Sequence, residues 1–360
     1  MAIVCPYCLN DINKNTIRRM CNICGHVSTE RFGSRIPKCP EKGCLGSCST
    51  LVCGMPNCGH VLPADLLQYE KYTRFAVVSH AGGGKTNYIT TMLEELKRTR
   101  ALQMFTSYMN TETQVYHSDN VTALYDRCMP IPPTPPGEIH PLQWRLQDLR
   151  RQTRSSTPAY SMTIFDGAGE DLEKTDPLVC RYLTGSKMIL LLLDPTRLCG
   201  VRAQMTEGEI RGAGGNPRDI ISRDETTDFV QGLINYIKTS TGVPVSKRIK
   251  QPIAVVFGKI DAVARLLGSA RVLQPSGHAA AGAFVRSEAE TVHREIEAFI
   301  DACGDDLNGM FNANFTQWMY FGVSSFGFLP MGGARQRPQP LRVLDPLMWD
   351  FSMAGIVPKK

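Results

Sequence analysis

Phe75-Ala76-Val77-Val78-Ser79-His80-Ala81-Gly82-Gly83-Gly84-Lys85-Thr86 is the stretch that decides how this chain is read. An apolar, strand-like run passes without a break into a glycine-rich turn. The residues beyond it, Asn87–Arg98, have the spacing of an amphipathic helix. This is the strand–G-x-x-x-x-G-K-[ST]–helix arrangement, with Ser79 in the place of the first glycine. Glycines let consecutive backbone N–H groups curl around phosphate oxygens. The helix N-terminus adds donors and a favourable dipole. In such a loop Ala81, Gly82, Gly83, Gly84 and Asn87 would line a bound nucleotide. Lys85 would reach its β- and γ-phosphates, and the Thr86 hydroxyl would ligate Mg²⁺. The competing reading is a plain flexible turn, and Gly-Gly-Gly-Lys-Thr between a strand and a helix argues against it.

Outward from this loop, apolar runs at Met162–Phe165, Met188–Leu193, Ile253–Phe257 and Met319–Val323 alternate with helical stretches at Thr227–Lys238 and Ser287–Cys303. Continuous apolar strands between helices predict an α/β domain with a mostly parallel sheet covered on both faces. Leu142–Leu146 alternates instead, which suits a strand paired antiparallel with Met162–Phe165. Ligands of such sheets sit outside the carboxyl ends of the strands, so the residues just after each run are the ones to inspect for chemistry. Met162–Phe165 leads into Asp166-Gly167-Ala168-Gly169-Glu170. There Asp166 could hold the shell of Mg²⁺ through water, and the Gly169 backbone could approach a terminal phosphate. Ile253–Phe257 leads into Gly258-Lys259-Ile260-Asp261, and Tyr320–Val323 into Ser324-Ser325-Phe326. Leu190–Leu193 ends in Asp194-Pro195-Thr196, which reads as core and not as site.

These boxes, in this order, resemble the Ras-like and translation-factor-like P-loop GTPases over roughly residues 74–353. The resemblance implies GTP or GDP with Mg²⁺ as ligands and GTP hydrolysis as the activity. It places Glu170 where many relatives carry the glutamine that positions the attacking water. It gives Asp261 the guanine N1–H and exocyclic amine, lays the Lys259 stem over the base, and turns a backbone N–H at Ser324 or Ser325 towards guanine O6. Gly258 stands where the family has asparagine, which removes a tie to the phosphate loop. Thr134 is expected as the switch residue reaching Mg²⁺ and the γ-phosphate; the alternative is that Pro132–Pro136 is only a stiff connector. Ala81 would hinder a partner's arginine, so turnover without a partner is expected to be slow.

The first 60 residues are of another kind. Nine of the 13 cysteines precede His60. The odd total, the paired spacings and an N-terminus without an apolar signal segment point to metal thiolates in a reducing cytoplasm. Cys5, Cys8, Cys21 and Cys24 form two C-x-x-C knuckles, expected to share one Zn²⁺ as a zinc ribbon. Cys39, Cys44, Cys53 and Cys58 are expected to hold a second, with Cys48 and His60 as competitors. Cys128, Cys180, Cys199 and Cys303 read as small hydrophobes. The expected organisation is a zinc module at 1–60, a linker at 61–73 and a G domain at 74–355, each region with its own core. Insertions or mobile loops are expected at 109–136, 200–224 and 268–282.

The net charge is +6, of which residues 1–70 carry only +2. Two zinc tetrathiolates would reverse that sign, so basicity is a weak argument for nucleic acid. Arg18, Arg19, Arg31 and Arg35 with Tyr7 and Phe32 make a thin basic–aromatic set. The module is therefore expected to dock an effector or regulator protein. Reading nucleic acid under nucleotide control is the alternative, and a GTP-binding scaffold without turnover is a third. No apolar run is long enough to span a bilayer. Zinc ribbons ahead of one compact G domain resemble the predicted bacterial double-GTPase group of conflict or defence systems. Val343–Trp349 is similar to the end of that group's G domain.

Overall fold

A segment as poor in apolar residues as the first 60 makes only short strands, and the computed structural model shows them. The structure describes all residues except 1–2, 31, 34, 81, 130, 132–139, 167–176, 220, 222–224, 305 and 328–335. Strands β1 (Ile3–Val4) and β2 (Asp11–Ile12) form one antiparallel pair. Strands β3 (Ile17–Met20), β4 (Thr50–Cys53) and β5 (Val61–Leu62) form a three-stranded antiparallel sheet in that order. Val61–Leu62 falls in the stretch expected as a linker, yet it completes this sheet.

The large sheet has seven strands: β6 (Lys71–Ser79), β7 (Met104–Tyr108), β8 (His140–Asp148), β9 (Ala159–Asp166), β10 (Met188–Leu193), β11 (Ile253–Phe257) and β12 (Trp318–Gly322). Their order across the sheet is β12-β11-β10-β6-β9-β8-β7. The ladders are parallel from β12 through to β9. β8 pairs antiparallel with β9 as expected, with Leu142 opposite Ile164 and Trp144 opposite Met162. The fold is α/β with a mostly parallel sheet, preceded by a small cysteine-rich module.

Alternation along the strands divides the core in two. Phe75, Val77, Leu190 and Leu192 face helix α1 (Lys85–Arg98) and the C-terminal helix Asp345–Met353. Ala76, Val78, Ile189 and Leu191 face helices Glu225–Thr241 and Arg286–Cys303. Each buried Leu or Ile contributes about 1.5–3 kcal/mol over its exposed form, so two filled faces hold the strand ends in fixed register.

The regions expected as loops contain helices. Helix α2 (Thr111–Val121) starts at Asn110, whose side-chain oxygen accepts from Thr113 N at 2.8 Å. The 200–224 stretch holds Glu207–Gly212 behind a Thr206–Glu209 capping box, and 268–282 holds Gly277–Ala281 capped by Ser276. These helices are started by caps and not by apolar periodicity, and that is why period alone missed them. No described helix is long and apolar enough to cross a membrane.

The module has a core separate from the two that flank the large sheet, as expected, but that core draws on residues beyond 60. Ile12, Ile17, Leu51 and Leu62 are buried in one cluster with Tyr69 and Tyr72, against Met109 and Ala159 of the α/β region. Tyr7 accepts from Gln143 Nε2 at 3.2 Å, and Leu9 lies against Gly185, the last residue of helix α3 (Pro177–Gly185).

Candidate nucleotide site and metal centres

The turn after β6 has the backbone that its glycines permit. Gly82 and Gly84 have φ of +70° and +82°, in the left-handed region where other residues are strained. A Cβ on Gly83 would stand 2.8 Å from Ser79 Oγ and 2.9 Å from Ser79 Cβ. Ser79 thus occupies space that only a glycine at 83 leaves open, and the departure from the usual first glycine is matched within the loop. The Ser79 hydroxyl donates to His80 O at 2.8 Å, and Gly83 N donates to the same carbonyl at 3.0 Å. Lys85, buried, opens α1. The His80 ring packs on Phe229 at 3.8 Å, and burial lowers its pKa.

Across from this loop, the ends of β11 and β12 close a cleft of about 260 Å³. Gly83, Gly84 and Asn87 line one side; Lys259, Asp261 and Ser324 line the other. Lys259 itself is left-handed, φ +51°, which brings its ammonium to Asp194 Oδ2 at 2.6 Å and Ala213 O at 3.2 Å. Asp194 is more than the core residue expected from its position. It is buried, but its carboxylate anchors Lys259 while its other oxygen accepts from Thr196 N and Oγ1. An acidic residue at the end of a central strand was the signal for that role. A Cβ at Gly258 would press on Leu192 at 3.2 Å, so an asparagine there would need Leu192 to move. With no side chain at 258, the loop is tied instead through Lys259 to Asp194 and the 200–224 insertion. Gly212, Ala213 and Gly214 of that insertion also line the cleft, which sequence reasoning missed.

The Asp261 carboxyl is raised in pKa by burial, partly offset by a hydrogen bond from Ser324 and by the charge of Lys259. It faces the cleft as an acceptor held beside two donors. Ser324 is buried and its backbone pairs with Leu341 in both directions.

At the other end of the loop, the buried Asp166 at the end of β9 accepts from Tyr116 Oη at 2.5 Å. The same hydroxyl is in hydrogen-bonding contact with Thr86. Thr86 and Asp166, two of the three groups expected at Mg²⁺, thus both reach Tyr116. A hydroxyl and a carboxylate are the oxygen donors this ion takes. Ala81, Thr134, Gly169 and Glu170 lie outside the described residues.

The cysteines assemble into two clusters, but with other partners than spacing suggested. Cys5 and Cys8 join Cys53 and Cys58; Cys21 and Cys24 join Cys39 and Cys44. All eight expected ligands are used, and the pairing is nested, with one cluster inside the chain loop of the other. Sulfur separations include 3.8 Å for Cys5–Cys58 and Cys8–Cys53, 3.7 Å for Cys21–Cys44 and 3.4 Å for Cys24–Cys39. A tetrahedral Zn²⁺ with bonds of about 2.3 Å sets its sulfurs about 3.8 Å apart, so both clusters fit the ion. The reason for the pairing is the β3–β4 ladder. Cys53 stands opposite Ile17 at one end, while Cys21 follows Met20 at the other. Burial raises the pKa of the Cys5 and Cys53 thiols, which disfavours packed thiolates without a cation among them. Cys48 is buried outside both clusters. The His60 Nδ1 lies 3.6 Å from Cys58 Sγ, with its ring stacked on Tyr7.

No family model and no curated protein matches the sequence. Solved structures to which the chain is distantly similar include the following three. The Arl6 small GTPase of Trypanosoma brucei with a nucleotide analogue is 12% identical, covers 79% of this chain and 99% of its own, and has a TM-score of 0.34. The Ski7 GTPase-like domain of S. cerevisiae bound to GTP is 9% identical over 81% of this chain and half of its own, at 0.35. The signal recognition particle receptor complex of Chaetomium thermophilum is 11% identical over 80% and 99%, at 0.31. Likeness this distant carries no weight for activity, which must come from the residues.

Proposed function

We propose that the chain is a GTP-binding, GTP-hydrolysing switch that works with Mg²⁺ and carries two structural Zn²⁺ ions. The observation that carries this reading is the cleft with a phosphate-type loop on one wall and Asp261 on the other. A carboxylate so placed accepts from both guanine N1–H and the exocyclic amine; adenine offers no such pair. Lys85 and the loop amides would take the phosphates, and Thr86 with Asp166 would hold Mg²⁺, which shields the charge between β- and γ-oxygens. The knuckle tip of the module exposes Ile23 and Leu45, the latter 97% open, which suits docking of a protein partner. The bacterial defence setting rests on the likeness of architecture alone.

Exchanging Asp261→Asn tests the reading. The amide would face the guanine amine donor to donor, at a cost of about 1–3 kcal/mol. GTP affinity should fall, xanthosine triphosphate affinity should rise, and ATP should bind no better. A wild type that binds ATP as tightly as GTP overturns it. Because burial raises the pKa of Asp261, wild-type GTP affinity should fall on acidification earlier than an ordinary aspartate would dictate. The Asp261→Asn protein should lack that step. Lys85→Ala, which removes the loop's ammonium, should abolish tight binding of every nucleotide.

A further inference from the structure

Helix α2 lies in a stretch the sequence offers only as a loop, and three contacts hold it still. Asn110 caps it, Gln143 N donates to Thr113 Oγ1 at 2.9 Å, and His117 Nε2 meets Glu94 Oε1 on α1 at 2.9 Å. Burial lowers the pKa of His117, so at neutral pH it is an uncharged ring donating to a carboxylate. Tyr116, between these anchors, is packed against the core and sends its hydroxyl to the end of β9.

A phenol has one proton to donate. Here it goes to Asp166 Oδ2 at 2.5 Å. The contacts with Thr86 and Asn120 must therefore run the other way, with the threonine hydroxyl and the amide N–H donating and the tyrosine oxygen accepting. The order is Thr86 to Tyr116 to Asp166. That order points the Thr86 proton at Tyr116 and so sets which side of the threonine oxygen can accept. It also fixes one carboxylate oxygen of Asp166. Second-partner hydrogen bonds of this kind orient the ligands of a metal.

We propose that Tyr116 is a positioning residue for Mg²⁺, setting the proton direction of Thr86 and the rotation of Asp166 before the metal–nucleotide pair arrives. The proposal rests on the reading of this cleft as a nucleotide site. The Tyr116→Phe side chain keeps the ring and its packing and loses the hydroxyl, with its contacts to Asp166, Thr86 and Asn120. Removing such a partner weakens metal affinity by about 10–100-fold in other sites.

The experiment uses the full chain and two probes, a fluorescent GDP and inorganic pyrophosphate, each titrated with Mg²⁺ and again in EDTA. In Tyr116→Phe the Mg²⁺ needed for half-maximal tightening should rise about 10–100-fold with either probe. Affinity in EDTA should stay within about twofold, and the metal-free unfolding midpoint should match the wild type. In an Asp166→Asn background, Tyr116→Phe should add little, because the relay then has no carboxylate to serve. An unchanged Mg²⁺ requirement overturns the proposal, as does a lowered one, which would make the hydroxyl a plug. Wild-type binding of pyrophosphate but not GDP would sink the guanine reading and leave the Tyr116 comparison measurable. Binding of neither overturns both.

Discussion

The two cysteine clusters have the same ligand set and opposite surroundings. Cys5, Cys8, Cys53 and Cys58 sit where the module meets the α/β region, in contact with a core that includes Tyr69, Tyr72 and Met109. Tyr7, between Cys5 and Cys8, takes bonds from Asn110 and Gln143, so this cluster touches the cap of the helix that carries Tyr116. Cys21, Cys24, Cys39 and Cys44 stand away from that core, with Cys24 exposed and Ile23 and Leu45 turned to solvent. Its shape depends on close backbone packing: a Cβ at Gly46 would come 2.5 Å from Cys21 Sγ. Identical chemistry thus does different work. The inner cluster packs against the α/β region, and the outer one leaves its tip open to solvent.

The strongest way to break this contrast is to remove one ligand from each cluster. Metal analysis should give two zinc ions per wild-type chain and one in either Cys53→Ser or Cys24→Ser. Structural zinc supplies about 10–16 kcal/mol of apparent binding free energy in small fingers. Losing it at the inner cluster should lower the unfolding midpoint of the whole protein and weaken nucleotide binding more than tenfold. At the outer cluster, nucleotide affinity should stay within about twofold. Equal effects would show that the inner contacts carry no coupling.

A finer cut is Tyr7→Phe, which spares both clusters and removes one hydroxyl from the seam. Denaturant unfolding should report a loss of about 0.5–1.5 kcal/mol, with Gln143 left short of a partner. The smallest effect on stability belongs to Leu45→Ser on the outer tip, within about 0.5 kcal/mol because the side chain is already in water. If the tip is a docking surface, that substitution should nevertheless abolish capture of a nucleotide-dependent partner. A stability loss there would mean that the outer cluster is as integrated as the inner one.

What could be read in advance was whatever is encoded locally. Phe75–Thr86, the five apolar runs and the antiparallel partner of Met162–Phe165 needed only period, glycine chemistry and strand ends. The eight clustered cysteines were legible for the same reason, since each knuckle is a short motif. Their partnership was not, because every knuckle offers two thiolates and spacing cannot rank the matches. The pairing of Ile17–Met20 with Thr50–Cys53 decides it, a contact between residues 30 to 36 apart in the chain. Asp194 and Tyr116 were hidden in different ways. Asp194 looked like the polar end of a core strand. Tyr116 lies on Thr111–Val121, a helix with no apolar stripe, begun by its cap and held by its neighbours.

The nesting of the clusters has a consequence for how the chain comes off the ribosome. The outer set is complete once Cys44 has emerged, whereas the inner set must wait for Cys58. Closing the 15-residue span between Cys24 and Cys39 is also cheaper than closing the 45-residue span between Cys8 and Cys53, by roughly 1 kcal/mol of chain entropy. Once the outer loop is pinned, the long span is effectively shortened and its ends drawn together. Metal ions taken up by the two sets would therefore load from the outside in. The N-terminal knuckle would stay open through most of the module's synthesis and close just before Lys71–Ser79 emerges.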